Sequence, residues 1–337
     1  MIIFRTHGGQ NTGLGHLMRS LSLARAVREG SDHPILFVVN KEISDIVASW
    51  DFQYGESETF DKEDLARLSK NKPDLVVFDS YTADESYLSD LRRFAKVAMF
   101  DDNNDLYPHL PVDIVINGNL HARSLDYKPA DPNTKLLLGP EYLVMKPEYW
   151  NRVKTRSHKG RLLIMTGGAD IHNLMPRFME ALRSLDCPKT IILGPAFSAN
   201  QVKSIENAGR SDFQLISKPE SLKPYILDSS LVVTACASTV YEILTLSGIP
   251  VIYELADNQR LLASVLREKG VTDLGWWSEI SWNNLPNIIS KDLSRDVSQL
   301  SSLIHSLDGT GARRIAGILI DLVNKPPLIP GKTPQGK

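Results

Sequence analysis

The stretch that decides the fold is residues 230–253, SLVVTACASTVYEILTLSGIPVIY. It begins with an apolar run at 230–234, passes through four small residues, and enters a segment of helical character from Ser238 to Leu246. SGIP then ends the helix and PVIY begins a second apolar run. A strand, a helix and a strand in this order are typical of an α/β unit with parallel strands.

The same alternation continues in both directions along the chain. Near-continuous apolar runs are expected for strands that are buried on both faces of a parallel sheet. The alternation of predicted strands and helices is interrupted near residue 155 and then resumes. The sequence therefore predicts two doubly wound Rossmann-like domains, at 1–154 and 155–324, that face each other across a cleft. A surface or disordered tail is expected at 325–337. The predicted strands are 1–6, 34–39, 74–79, 96–100, 113–117, 135–138, 161–166, 189–193, 213–216, 230–234 and 250–253.

The composition is that of an ordinary globular chain. Of the 337 residues, 42% are hydrophobic and 23% are charged, and the formal net charge of −2 gives no basic field for nucleic acid or an anionic membrane. The two cysteines, Cys187 and Cys236, lack metal-ligand spacing and suit a reducing compartment. With no signal-peptide pattern and no apolar run of about 18 residues, we expect a cytoplasmic protein without a membrane span. The sequence leaves the oligomeric state open, a monomer included.

The first predicted strand leads into a glycine-rich loop that contains a histidine. TGLGHLMR, residues 12–19, places Gly13 and Gly15 just before His16, in the first turn of a helix predicted over 14–27. The positive end of a helix disfavours an imidazolium, so it can keep His16 neutral and able to take a proton from water. A histidine packed or solvated in a turn, without a chemical role, is the alternative. The glycine pattern does not match the dinucleotide fingerprint, and no P-loop sequence occurs.

Two loops of the second half contain residues that are candidates for binding a nucleotide. Gly167 and Gly168 follow a predicted strand, and they either present N–H groups to a phosphate or sugar or form a tight turn. Ser238 and Thr239 open the helix of the deciding stretch, where N–H groups and hydroxyls suit a diphosphate. Glu242, one turn further on, either forms a capping box with Thr239 or accepts hydrogen bonds from ribose hydroxyls.

Further polar candidates also lie where strands end. Asn258 and Gln259 follow the last predicted strand and add amides for the phosphate or sugar. Asp79 and Asn117 end two strands of the first half and join the substrate-binding candidates. Open α/β sheets bind ligands at the carboxyl ends of their strands. No DxD motif and no His or Cys pair at ligand spacing occurs, so the sequence predicts neither a metal nor a cofactor.

Five motifs occur in an order that resembles a known family. They read RTHGGQNTGLGHLMRSLSLA, FDSYTAD, MFDD, MTGGADIHNL and ASTVYEILTLSGIPVIYELADNQ. They resemble the UDP-2,4-diacetamido-2,4,6-trideoxy-β-L-altropyranose hydrolases of pseudaminic acid synthesis and, more broadly, the polysaccharide-biosynthesis proteins of the GT-B superfamily, and this resemblance spans residues 2–320. The last motif is also similar to the nucleotide-sugar half of MurG-type GlcNAc transferases.

The resemblance implies a GT-B architecture with the active site in an interdomain cleft. It implies that the C-terminal domain binds UDP and that His16 activates water for attack at the anomeric carbon, which releases UDP and a free amino-deoxy sugar. The other roles that it implies are sugar contact by Tyr81, ribose binding by Glu242, diphosphate binding by Ser238 and Thr239, and phosphate or sugar contact by Asn258 and Gln259.

Two positions depart from the family's motifs. His7 stands where the family often has Asp, and Ser80 replaces the histidine of a common DHY motif, which changes the groups expected beside the sugar. His7 is also a competing base. We expect a UDP-sugar hydrolase of nonulosonic acid or surface-polysaccharide synthesis whose sugar the sequence does not name. The alternatives are a GT-B glycosyltransferase, which would deprotonate an acceptor hydroxyl, and a nucleotide-sugar-binding protein without turnover.

Overall fold

The computed structural model divides the chain into two compact units. The first unit comprises Met1–Lys146 together with the chain from Thr310 onward, and the second comprises Pro147–Gly309. Each unit is built around one parallel sheet. The structure describes residues 1–9, 13–107, 109–151, 160–208 and 213–324.

Helices connect the strands of both units. The α-helices are α1 (Gly15–Gly30), α2 (Ser44–Ser49), α3 (Lys62–Lys70), α4 (Glu85–Leu91), α5 (Met175–Leu182), α6 (Ala199–Ala208), α7 (Lys223–Leu227), α8 (Thr239–Thr245), α9 (Arg260–Glu268), α10 (Leu285–Leu293), α11 (Ser301–Ser306) and α12 (Gly311–Asn324). Short 3₁₀ helices lie at Lys41–Ile43, Ala122–Ser124, Pro140–Tyr142, Pro147–Tyr149, Asp257–Gln259 and Val297–Leu300.

The sheet of the first unit has seven strands. These are β1 (Ile2–Thr6), β2 (Ile35–Val39), β3 (Gln53–Glu56), β4 (Leu75–Asp79), β5 (Lys96–Phe100), β6 (Ile114–Asn117) and β7 (Lys135–Leu138). They pair in the order β3-β2-β1-β4-β5-β6-β7, and every pair is parallel. Central β1 and β4 are buried along their whole length, as expected for a sheet covered on both faces. The strand order reverses beside β1, which is the topological switch point of a Rossmann-like sheet.

The sheet of the second unit has six strands. These are β8 (Leu162–Met165), β9 (Lys189–Leu193), β10 (Phe213–Ser217), β11 (Leu231–Ala235), β12 (Ile249–Glu254) and β13 (Thr272–Trp276). Their order is β10-β9-β8-β11-β12-β13, again with parallel pairs only. The deciding stretch forms β11, α8 and β12, and its two strands are neighbours in the sheet. The predicted fold class, two doubly wound Rossmann-like domains, is confirmed.

Helix α1 sets the position of the histidine discussed below. The helix begins at Gly15, so His16 lies in its first turn as predicted. Its apolar face is buried through Leu17, Leu21 and Val27, because these residues repeat at the spacing of one helix face. Burial of this face fixes the end of the helix that carries His16.

The domain boundaries differ from the prediction. The predicted border at 154 and 155 lies outside the described residues, and the structure divides the chain after Lys146 instead. The C-terminal helix α12 was expected in the second domain and belongs to the first unit, where it packs against α1. Arg313 of α12 pairs with Glu29 of α1 at 3.1 Å, and Ile315 and Leu319 are buried. The packing of its apolar face, rather than its position in the sequence, thus determines which unit α12 joins. The predicted tail at 325–337 lies outside the described residues.

No helix within the described ranges is both long enough and apolar enough to cross a lipid bilayer.

Candidate active site

The predicted base lies against a buried carboxylate. His16 opens α1 and Asp79 ends β4, and Nδ1 of the imidazole lies 2.5 Å from Oδ1 of Asp79. The Asp79 side chain is fully buried, whereas that of His16 keeps 13% of its surface exposed. The ring of Tyr81 meets the His16 ring edge-on at 4.4 Å between centroids. These three residues come together at the carboxyl edge of the first sheet, where ligands of α/β folds bind.

The contacts of Nδ1 determine the tautomer of His16. In the neutral imidazole, Nδ1 either donates to Asp79 at 2.5 Å or accepts from Nη2 of Arg19 at 3.2 Å. The shorter contact, to a buried carboxylate, favours donation from Nδ1–H. Nε2 then carries the lone pair and is the basic nitrogen of the ring.

Arg19 joins Asp79 to a second carboxylate that the sequence analysis did not select. Its Nε and Nη2 donate to the two oxygens of Asp79 at 2.6 and 2.7 Å. Its Nη1 donates to both oxygens of Asp102, at 2.9 and 2.8 Å. The Tyr81 hydroxyl also donates to Asp102. His16, Asp79, Arg19, Asp102 and Tyr81 therefore form one connected polar cluster, named here the histidine cluster.

The charges in the histidine cluster stabilise one another. Burial alone would raise the pKa of Asp102, but the adjacent Arg19 guanidinium and the Tyr81 hydroxyl outweigh it, so the pKa of Asp102 is lowered. Burial opposes the charge of Arg19 as well, yet the carboxylates of Asp102 and Asp79 raise the Arg19 pKa well above its ordinary value. The Asp102 carboxylate and the Arg19 guanidinium are therefore ionised at neutral pH, and the same guanidinium also pairs with Asp79 at 2.6 Å.

Asn117 stabilises the histidine cluster through hydrogen bonds of its buried amide. Its amide is buried, and its Nδ2 donates to the backbone carbonyl of Asp102 at 3.1 Å and to the Tyr127 hydroxyl at 2.8 Å. Its Oδ1 accepts from the backbone N–H of Asn119, whose side chain in turn donates to Asp102 at 3.0 Å. The side chains of Asn117 and Asp79 are both buried and bonded within the protein, and a substrate contact by either stays a prediction. They hold the residues that face outward.

The two positions that depart from the family's motifs are bound to neighbouring groups. Nε2 of His7 lies 3.2 Å from the Ser57 carbonyl, an acceptor, so Nε2 carries the proton, and the ring packs on Phe60 at 4.3 Å. The Ser80 side chain is buried, and its hydroxyl contacts the hydroxyl of Thr82 at 3.1 Å and accepts from the Thr82 N–H. The expectation that Ser80 faces a sugar is corrected, because its hydroxyl closes a turn.

The predicted glycine loop before α1 is closed by its own backbone. Gly9 and Gly13 exchange hydrogen bonds, N–H of Gly13 to the Gly9 carbonyl at 2.8 Å and the reverse at 3.1 Å. Gly13 has φ of +75°, a conformation that favours glycine. The Gly13 N–H is thus used within the loop, while the exposed Gly15 begins the helix. A substrate contact by these glycines stays a prediction.

The paired glycines of the second unit form an exposed turn after β8. Gly167 has φ of +85°, and both Gly167 and Gly168 are exposed. Asp170 follows them as a buried helix cap, since its carboxylate accepts the N–H groups of Leu174 at 2.8 Å and Met175 at 2.7 Å. The turn therefore has the positive φ that the sequence analysis gave as one interpretation, and a contact of its N–H groups with a phosphate or sugar stays a prediction.

Helix α8 begins as predicted, but Glu242 is bound to a residue that the sequence did not select. Ser238 is exposed and Thr239 is half-buried at the start of the helix, so their hydroxyls are available at its N-terminus. Glu242 is 9% exposed, and its Oε2 accepts a hydrogen bond from the buried Tyr149 hydroxyl at 3.0 Å. Ser238 makes no side-chain cap hydrogen bond. Tyr149 thus positions Glu242.

The two amides after β12 differ in their contacts. Gln259 accepts the backbone N–H of Leu255 through Oε1 at 2.8 Å, which closes the short 3₁₀ turn at Asp257–Gln259. Asn258 is exposed at the tip of this turn. Among the described residues, no group of three or more His, Cys, Asp or Glu side chains has an arrangement that could hold a metal ion.

Sequence reasoning missed Arg19, Asp102 and Tyr149. Arg19 lies three residues after His16, so both project from one face of α1, and this spacing is a signal that could have found it. Asp102 follows β5 in MFDD, at the same edge of the sheet as Asp79. Nothing local in the sequence singles out Tyr149, which is 93 residues from its partner.

Comparisons with known proteins begin with sequence. No protein-family model matches the chain. An uncharacterised protein of Methanocaldococcus jannaschii, MJ1062, is 28% identical over 262 residues, a match that covers 73% of this chain and 54% of that protein. The chain therefore spans about half the length of this relative. The UDP-2,4-diacetamido-2,4,6-trideoxy-β-L-altropyranose hydrolase of Campylobacter jejuni is 24% identical over 277 residues, covering 80% of this chain and 97% of that protein.

Solved structures are similar over almost the whole chain. MurG of Acinetobacter baumannii aligns with a TM-score of 0.66 at 12% identity and covers 95% of this chain and 99% of its own. The chain has the GT-B fold. The UGT89C1 protein of Arabidopsis thaliana, solved with UDP-L-rhamnose, shares this GT-B fold at a TM-score of 0.66 and 9% identity, covering 96% of this chain and 98% of its own. At such identities the likeness concerns the fold alone.

Proposed function

We propose that the chain is a UDP-sugar hydrolase in which His16 removes a proton from the attacking water. The observation that carries the proposal is the 2.5 Å contact of His16 Nδ1 with the buried Asp79 carboxylate, the arrangement that a histidine base requires. The GT-B fold and the distant similarity to a Campylobacter UDP-sugar hydrolase support an enzyme that acts on UDP-sugars.

The proposed reaction needs one base and a good leaving group. Nε2 of His16 takes a proton from water while the water oxygen forms a bond to the anomeric carbon. The bond between that carbon and the diphosphate oxygen breaks, and its electron pair leaves with UDP. The imidazolium that forms is stabilised by Asp79, and the diphosphate charge is stabilised by N–H groups and hydroxyls of the second unit.

We assign UDP binding to the second unit. The exposed turn at Gly167 and Gly168 and the hydroxyls of Ser238 and Thr239 are proposed to bind the diphosphate, since both lie at carboxyl ends of strands. Glu242, held by Tyr149, is proposed to accept the ribose hydroxyls. The remaining proposed contacts are Asn258 and Gln259 to the phosphates or sugar, and Gly13, Gly15 and Tyr81 to the sugar.

The sugar class follows from the relative rather than from the geometry. The name of the Campylobacter protein specifies a diacetamido-trideoxy sugar, and we extend an amino-deoxy sugar of this kind to the present chain. The reaction would then supply nonulosonic acid or surface-polysaccharide synthesis. The free thiols of Cys187 and Cys236 agree with a cytoplasmic location for it.

A glycosyltransferase is the second candidate, favoured by the GT-B neighbours such as MurG. The same base would then deprotonate an acceptor hydroxyl instead of water, and the histidine cluster would be unchanged. What differs is the nucleophile, so the two functions separate by whether turnover requires an added acceptor.

The test is a panel of UDP-sugars and other nucleotide sugars, each incubated with the wild-type chain in H₂¹⁸O without an acceptor. We expect equal amounts of UDP and free sugar by NMR, with ¹⁸O on the sugar and none on UDP by mass spectrometry. Label on the UDP phosphate would contradict attack at the anomeric carbon. Turnover only after an acceptor is added would replace hydrolysis by transfer, and binding without turnover would contradict both.

A further inference from the structure

Arg19 occupies the centre of the histidine cluster rather than its edge. Its guanidinium binds Asp79 through two nitrogens and Asp102 through the third, so one side chain joins both carboxylates. It also lies over the Phe100 ring at 4.7 Å, which packs one face of the guanidinium. An ordinary surface arginine pairs with one carboxylate and stays exposed to water, whereas Arg19 pairs with two and packs on a ring.

We propose that Arg19, anchored on Asp102, is a positioning residue that orients the Asp79 carboxylate and sets the basicity of His16. This inference rests on the proposed function, in which His16 is the base. It assigns no contact with substrate to Arg19.

The orientation follows from the hydrogen bonds of Asp79. Both of its oxygens accept from Arg19, and Oδ1 in addition accepts from His16. Ser20 Oγ also contacts Oδ2 of Asp79, but at 3.5 Å this contact is too long to replace the two Arg19 donors. Because the Asp79 side chain is fully buried, water cannot replace a lost donor either, so without Arg19 the carboxylate would keep only the weak Ser20 contact and the His16 contact and could rotate. Rotation would break the contact that holds Nδ1–H of His16 and would let the other tautomer form.

The basicity follows from the charges that face His16. In the described part of the chain these are Asp79, Arg19 and Asp102, with the Tyr81 hydroxyl beside them. With Arg19 in place, its positive charge offsets part of the negative charge of the two carboxylates that face the ring. Without Arg19, the two uncompensated carboxylates would favour the protonated ring, and a protonated ring cannot act as a base.

Asp102 acts as the anchor. Its carboxylate accepts from Tyr81 and from Asn119 as well as from Arg19, so several elements fix it. Its charge also faces His16, and removing that charge should affect the ring in the direction opposite to removing Arg19. This difference in sign separates a positioning role from general loss of structure.

The experiment compares Arg19→Gln, Arg19→Lys and Asp102→Asn with the matched control Arg25→Gln. Arg25 lies on the same helix but pairs only loosely with Glu29, at 3.7 Å on the surface. The first readout is ¹⁵N NMR of the His16 ring across pH without substrate, which reports tautomer and protonation whether or not the chain hydrolyses any UDP-sugar. The second readout is the pH profile of kcat/KM.

We expect the ring of the Arg19→Gln variant to titrate at a pH higher by about one unit or more, and the Asp102→Asn ring at a lower pH. Arg19→Lys keeps the charge, so its titration stays near wild type while the Nδ1–H tautomer fraction falls. For Arg19→Gln, kcat/KM at pH 7 falls by roughly 10–100-fold and recovers partly at higher pH. Arg25→Gln behaves as wild type in both readouts.

Identical ring titration and tautomer in Arg19→Gln and wild type would overturn the inference. Where Arg19→Gln does not fold, Asp102→Asn carries the same test, and an unchanged or upward movement of its ring titration would overturn it. If the NMR results are as expected but no UDP-sugar is hydrolysed, the positioning role stands and the proposed function falls.

Discussion

His16 experiences two opposing electrostatic effects. The N-terminus of α1 disfavours an imidazolium, and the buried carboxylate of Asp79 favours one. The helix end opposes a positive charge on the ring, and the carboxylate stabilises the charge that the proposed proton transfer would place there.

Replacing His16 should remove the base and leave nucleotide binding intact. We expect His16→Asn to lower kcat by roughly 10²–10⁴-fold. The Kd for UDP, measured by calorimetry, should stay within about twofold of wild type, since the UDP contacts are assigned to the second unit. The control is His7→Gln, which keeps a donor for the Ser57 carbonyl and should retain kcat. A large loss in the His7 variant with normal turnover in the His16 variant would make His7 the base.

Substitutions of Glu242 and Tyr149 distinguish a contact with ligand from a contact that only stabilises the fold. Glu242→Ala should weaken UDP binding by roughly 1–3 kcal/mol, the range for a lost charge-assisted hydrogen bond. Tyr149→Phe removes only the hydroxyl that donates to Glu242, so it should lower the free energy of unfolding by about 1 kcal/mol and change UDP affinity little. Calorimetry and urea unfolding measure the two effects. A Glu242→Ala variant that loses stability but no affinity would leave Glu242 with a structural role alone.

His7 makes the stability of the chain depend on pH. Burial and the nearby Arg5 charge lower the pKa of His7 to about 4, from its ordinary 6.5. Between these values the unfolded chain binds more protons than the folded chain, so the contribution is complete above pH 6.5 and is lost as pH falls toward 4. The partial exposure of the ring limits the loss to about 1–3 kcal/mol. Denaturant unfolding at pH 7, 5.5 and 4.5 should show a shallower decline for His7→Gln, and equal slopes would contradict this assignment.

At the scale of elements, apolar runs predict the buried strands and miss the exposed edges. Each of the eleven predicted strands has an observed counterpart whose ends differ by one residue at most. The missed strands are β3, QYGE, and β13, TDLGW, which lie at sheet edges and lack an apolar run because solvent reaches them. The position of His16 followed from helix periodicity, whereas the bridge from Arg19 in α1 to Asp102 in the loop after β5 joins residues 83 positions apart and leaves no local pattern.

The start of α12 packs without space for a side chain. A Cβ atom at Gly311 would overlap the backbone of Leu143, whereas one at Gly317 in the same helix would meet nothing within 4 Å. Gly311→Ala should therefore destabilise the first unit by about 1–3 kcal/mol through overpacking. Gly317→Ala should be neutral or stabilise by up to about 1 kcal/mol, because alanine favours helices. Chemical denaturation measures both, and equal effects would show that α12 does not press on Leu143.

At the scale of the whole molecule, the first unit is built from two segments that are far apart along the chain. The chain leaves the first unit after Lys146, forms the second unit, and returns at Thr310 to place α12 against α1. Sequence patterns assign a segment to its neighbours along the chain, so they could not show this return. The packing of an amphipathic helix depends on which apolar surface is available, and here α1 provides it.

Ending the chain after Gly309 tests this return directly. The deletion removes α12 with its buried Ile315 and Leu319, whose burial is worth about 3–6 kcal/mol, and exposes the surface of α1 that α12 covers. Amide hydrogen exchange should therefore increase across α1 and β1, while β11 and α8 of the second unit keep their protection. The full-length variant Leu319→Ala should show a smaller loss in the same elements, by about 2–5 kcal/mol. Loss of protection confined to the second unit would restore the domain assignment predicted from chain order, because α12 would then stabilise the unit that precedes it.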